Sequence, residues 1–321
     1  MSIRLKTGIS YFVIIVATLL LRISVSEGLG DFEGFSLDYY FTIMAQIVCF
    51  LLLPVALYFI FRENDRKLTI RTLTADFGFK KVGLRNSLRT LVIGICMVYM
   101  ATVVSFVWNN LLSLFGYTHT SSQTEYPNVG YLFLELLMTA VLPGFCEEFV
   151  HRGLLFHGYK DSGFKVVIVS ALLFALMHQN IRQTGYTFFD GIVLALLCYY
   201  TGSIWPGIFV HFFNNAISVL WDYGDYAGGW LSFMDTASNW LYGSLVGYIV
   251  GAIIFVLAGV AMVFMFKRMR DDSVKAGIIP EKPFAKNGEG ALPLHKDVML
   301  YATIIIGVAT TIFTLVWGIL R

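Results

Sequence analysis

Leu241 to Phe266 reads LYGSLVGYIVGAIIFVLAGVAMVFMF, without one charged side chain, and ends abruptly at Lys267-Arg268-Met269-Arg270. About 20 apolar residues are what an α-helix needs to cross a hydrocarbon core of ~30 Å. A helix also satisfies its own backbone amides where no water can. Working outward, similar runs lie near Gly8 to Val25, Tyr39 to Phe61, Leu91 to Phe115, Gly130 to about Tyr159, Phe164 to Gln179, Tyr186 to Thr201, Ile204 to Leu220 and Val298 to Leu320. The fold expected is an all-α, polytopic transmembrane helix bundle of about eight or nine spans.

Composition agrees. In 321 residues, 57% are hydrophobic and only 14% charged, and the mean hydropathy is +0.71. So few charges cannot clothe a water-soluble surface of this size, which excludes a soluble enzyme, and no basic stripe suggests a nucleic-acid partner. Cys49, Cys96, Cys146 and Cys198 all fall in apolar runs and read as small hydrophobes, not as a disulfide framework. The run after Lys6 lacks a small-residue cleavage site and is read as a retained first span.

Residues 1–7, 62–89, 151–165 and 267–297 hold 20 Lys and Arg, whereas 26–38, 117–128, 181–187 and 221–240 hold only Arg182. By the positive-inside rule the N-terminus is cytoplasmic, in an integral multi-pass protein of the cell membrane. The connection from Arg62 to Arg89, with eight basic and three acidic residues, suits a surface of anionic headgroups. It is the clearest internal boundary, and the chain divides into an N-terminal three-span region that contains it, 1–128, a core, 129–220, and a C-terminal two-span region, 221–321.

Ionisable groups at membrane depth are costly and mark functional sites. Here they concentrate. The fourth run carries Pro143, Gly144, Glu147, Glu148, His151 and Arg152; the fifth carries His178; the seventh carries Pro206, Gly207, His211, Asn214 and Asn215. Elsewhere only Arg22, Glu135 and Asp190 lie in or near a span. A turn at Lys160 to Gly163 leaves Glu147 and His178 equally far along its two arms, ~20 Å at 1.5 Å per residue, so they should meet at one depth, in the membrane interior and reached from the basic side. His211 and Asn215, spaced i, i+4, share one helix face. Glu148 and Arg152 have the same spacing and read as an intrahelical ion pair or as part of the site. Glu147 has no such partner. Each proline-glycine pair opens its helix locally, freeing a carbonyl and admitting water. His151 and His157 read as packing residues, and Cys146 as an inert thiol.

The H-E-x-x-H string of zinc proteases is missing, and Glu148-x-x-His151 stands alone where a di-iron site needs two such motifs. Two membrane aspartates for an aspartyl protease are also lacking, since only Asp190 is available. What remains is carboxylate, imidazole and amide, with no metal or cofactor expected.

Three ordered motifs, Glu147-Glu148-x-x-x-Arg152, Phe174-x-x-x-His178 and His211-x-x-x-Asn215, resemble those of the CAAX protease and bacteriocin-processing family, also called Abi proteins. The resemblance covers residues 129–220. It implies a glutamate-dependent intramembrane endopeptidase with a conical cavity between the fourth and seventh spans. Glu147 and His178 would activate water, His211 and Asn215 would hold the oxyanion, and Glu148 would assist or pair with Arg152. Its partners would be the lipid bilayer and a membrane-associated peptide or lipidated protein as substrate. Two other classes stay open: a catalytically idle scaffold for a signalling partner, and a proton-coupled transporter, for which no inverted repeat is visible. Zinc held by Glu147, His178 and His211 is a variant of the protease reading.

Overall fold

The structure is a computed structural model that describes residues 2–26, 37–61, 69–118, 124–281 and 294–320. Among them are eleven helices and no strand: α1 (Ile3–Ser26), α2 (37–61), α3 (Ile70–Asp76), α4 (Leu84–Leu114), α5 (Val129–Gly158), α6 (Lys165–Met177), α7 (Ile181–Thr201), α8 (Trp205–Ala227), α9 (Phe233–Gly243), α10 (Leu245–Lys275) and α11 (Val298–Leu320). Eight of the nine apolar runs match one helix each, to within a residue or two at the ends; the run from Leu241 to Phe266 is broken at the extended Ser244, so its first three residues close α9 and the rest lie in α10. Six helices, α1, α2, α4, α5, α10 and α11, are long and apolar enough to cross a membrane. The three closely spaced runs differ from these. α6 has only 13 residues, and α7 and α8 carry the polar residues that face the interior.

Local chemistry sets the boundaries. Asn128, Asn180 and Ser244 cap α5, α7 and α10, each side-chain oxygen accepting a backbone N–H of the first turn. The turn expected between the fourth and fifth runs is present at Lys160–Ser162, followed by Gly163 at φ +58°. α6 ends at His178 because Gln179 adopts a left-handed conformation, φ +48°, which no helix continues. The chain then reverses into α7.

α7 is central, packing against α4, α6, α8, α10 and α11. The basic connections meet at one end. Arg4 donates to Asp161 at 2.5 Å and to Ser162 at 2.9 Å; Tyr159 donates to Asp297 at 2.9 Å; Arg89 pairs with Asp272 at 2.6 Å. Cavities of about 290 and 480 Å³ open at this end, both bordered by His157 and Lys160. At the other end Thr118 donates its N–H to Gly318 and Trp108 donates to Ile181. The 62–68 part of the basic connection lies outside the described residues.

Candidate active site

α5, α6 and α8 bring the polar residues together. Glu147 Oε2 lies 3.9 Å from His178 Nε2 and 4.0 Å from His211 Nε2. His178 donates Nδ1–H to the Phe174 carbonyl at 2.8 Å, which fixes the neutral tautomer and turns the Nε2 lone pair toward Glu147. The cluster is screened but not sealed: the side chains of His178 and Glu147 are 20% and 11% exposed.

Glu148 has two partners where the sequence suggested one. Its Oε1 accepts Arg152 Nη1–H at 2.6 Å and faces His211 Nδ1 at 3.1 Å. Carboxylate and guanidinium are both fully buried. Arg152 also donates to the Gly191 carbonyl of α7 at 3.0 Å, and its guanidinium carbon sits 4.6 Å from the centre of the Phe174 ring. Phe174 is the floor of the site. Its ring meets His151, His178 and His211 edge-on, at centroid distances of 4.9, 5.0 and 5.6 Å, and thereby holds three imidazoles in place.

The two proline-glycine pairs act as close-approach points as well as breaks. A Cβ on Gly144 would lie 3.0 Å from the Phe212 backbone, and one on Gly207 would lie 2.6 Å from Glu148 Oε2. Only glycine lets α5 and α8 approach this closely. Pro143 has no N–H to give the Thr139 carbonyl four residues earlier. Asn215 fills that role, donating Nδ2–H at 2.9 Å. One amide hydrogen of Asn215 remains, on the helix face it shares with His211.

His151 uses both nitrogens structurally. Nδ1–H donates to the Glu147 carbonyl at 2.7 Å, and Nε2 accepts the Tyr11 hydroxyl at 2.7 Å. His157 donates to the Arg152 and Gly153 carbonyls. Cys146 is buried. Glu135, which lacks an obvious partner in sequence, accepts Tyr39 O–H at 2.6 Å and Thr139 O–H at 3.0 Å.

Sequence reasoning missed Gln46. This α2 residue donates Nε2–H to Glu147 Oε1 at 2.8 Å, occupying one carboxylate oxygen and leaving Oε2 toward the histidines. The available signal was a lone amide inside an apolar run. Among the described residues no three His, Cys, Asp or Glu side chains are grouped to hold a metal ion.

Residues 129–217 match a family model described as Type II CAAX prenyl endopeptidase Rce1-like. The match takes in α5, α6, α7 and the first part of α8, and with them all six site residues singled out in the sequence. No curated protein and no solved structure matches the chain.

Proposed function

We propose, from the match of residues 129–217 to the Type II CAAX prenyl endopeptidase Rce1-like model, that the chain cleaves a membrane-associated peptide by water that Glu147 and His178 activate. The observation that carries this reading is the 3.9 Å gap between Glu147 Oε2 and His178 Nε2. A water in that gap reaches both acceptors at ordinary hydrogen-bond length. With both hydrogens held, its oxygen lone pairs turn toward the substrate carbonyl.

Attack on the carbonyl carbon transfers one water proton to Glu147 and leaves a tetrahedral oxyanion. The Glu147 proton then passes to the leaving nitrogen as the C–N bond breaks. His211 and the remaining amide hydrogen of Asn215 are the donors for the oxyanion. With Nδ1–H committed to Glu148, His211 carries a hydrogen on Nε2 only as imidazolium; Glu147 and Glu148 together balance its charge and that of Arg152. Gln46 keeps Oε1 occupied and so directs Oε2 to the water. A substrate held by a lipid anchor or an apolar segment suits a site at this depth.

The N-terminus is read as cytoplasmic, supported by the crowding of Lys and Arg into the connections gathered at one end. Mass spectrometry of membrane peptides from cells carrying the parent or the Glu147→Gln form tests the reading. Peptide termini that depend on the parent are expected, and identical peptide sets in the two strains would refute it.

A further inference from the structure

Arg22 lies outside the matched segment, near the end of α1 away from the basic connections. It is a half-buried cation whose Nε is fully shielded, and no ion pair to it is found among the described residues. Arg4, Arg152 and Arg89 each pair with a carboxylate, whereas among the described residues no carboxylate reaches Arg22. Its one hydrogen bond, from Nη2 to the His178 carbonyl, is 3.3 Å long. Its guanidinium carbon stacks 5.0 Å from the centre of the Phe41 ring, and its shielded Nε–H has no acceptor. A guanidinium carries five N–H donors, so most of this one is unspent.

Capping α6 explains the bond to the His178 carbonyl. It does not explain the charge, because a neutral amide would cap as well without the cost of a half-buried cation at membrane depth. Nor is the location neutral. Arg22 bonds the backbone carbonyl of the residue whose imidazole faces Glu147. A planar fork of unspent donors beside a peptide-cleaving site matches a carboxylate.

We propose that Arg22 is a specificity residue that binds a carboxylate of the substrate. This inference rests on the protease reading. The side chain of His178 spans on the order of 6 Å from carbonyl to Nε2, so the bound carboxylate lies roughly 6–10 Å from the bond that is cut, or about two to three residues of extended peptide. Two sources supply that group: the free C-terminus of a short tail, or an Asp or Glu side chain within a longer one.

The test uses the purified full chain in lipid nanodiscs with lipidated, internally quenched peptides of one sequence. One has a free C-terminus and one a C-terminal amide; two further amides carry Glu or Gln at the second or third position beyond the cut. The parent should favour one carboxylate peptide over its neutral twin by about tenfold or more, expressed mainly in KM. Arg22→Gln, which keeps an N–H for the His178 carbonyl, should bring that ratio close to one, and Arg22→Lys should restore part of it. Preference for the free terminus identifies the C-terminus as the group bound; preference for Glu over Gln identifies a side chain.

Binding of the same peptides to the Glu147→Gln form, read by fluorescence anisotropy, separates this proposal from the one it rests on. Carboxylate-dependent binding that Arg22→Gln abolishes, without cleavage by the parent, would sustain Arg22 and refute the protease. Cleavage with no carboxylate preference, or a preference that survives Arg22→Gln, would overturn the role of Arg22. If Arg22→Gln fails to fold, Arg22→Lys takes its place: an acid-to-neutral ratio unchanged from the parent's in that variant, or a parent with no such preference, overturns the role.

Discussion

Replacing Arg152 with methionine keeps most of the side-chain volume but removes a guanidinium that is fully buried. Three contacts disappear: the 2.6 Å bond to Glu148, the 3.0 Å bond to the Gly191 carbonyl, and the stacking 4.6 Å from the Phe174 centroid. Glu148 is left at 0% exposure with His211 Nδ1, 3.1 Å away, as its one remaining partner. Its Oε2 has no hydrogen-bond partner even before the change. Stranding one member of a buried pair costs about 3–5 kcal/mol, which for a chain of this size lowers the unfolding midpoint by on the order of 6–10 °C. Cys49, Cys146 and Cys198 are buried free thiols, so a thiol-reactive fluorophore reports unfolding directly in detergent. The double variant Glu148→Gln with Arg152→Met should recover most of the loss, since no charge is then stranded. A single variant as stable as the parent, or a double variant no better than the single, would refute the reasoning. A stable but inactive single variant would place Arg152 in the active site.

Gly207→Ala should impair both folding and cleavage, because its methyl group would sit 2.6 Å from Glu148 Oε2 and push α8 away from α5; a cost of about 1–3 kcal/mol is expected in the same thermal assay. Gln46→Leu should leave the fold intact and lower kcat by roughly tenfold, the worth of one charge-assisted hydrogen bond to Glu147; an unchanged kcat would remove Gln46 from the mechanism. Cleavage should survive prolonged treatment with a zinc chelator, and activity lost to the chelator and regained with zinc would restore the metal variant.

What the sequence made legible was whatever depends on local spacing. The apolar runs marked the helices, and the i, i+4 spacing paired Glu148 with Arg152. Counting outward from Lys160–Gly163 brought Glu147 to His178 across one turn. Contacts between distant segments were not legible. Gln46 reaches Glu147 from a helix 101 residues earlier, and Tyr11 reaches His151 from one 140 residues earlier. No periodicity encodes such pairings. The second partner of Glu148 lies on α8, 63 residues further along the chain, and no local spacing encodes it. The proline-glycine pairs were read as openings, and their glycines also serve the close approach of α5 and α8. Asn215 shows how the two effects join, since the carbonyl that Pro143 frees is the one its amide occupies.

The central claim is that Glu147 and His178 together activate the attacking water. The most direct test is the cleavage rate of a lipidated, internally quenched peptide by the purified chain in nanodiscs, for the parent against Glu147→Gln and His178→Ala, with thermal midpoints measured on the same samples. The account predicts losses of about 10²–10⁴-fold for each variant at midpoints near that of the parent, and a double variant little slower than either single one. A folded Glu147→Gln protein that cleaves at the parent's rate would contradict it.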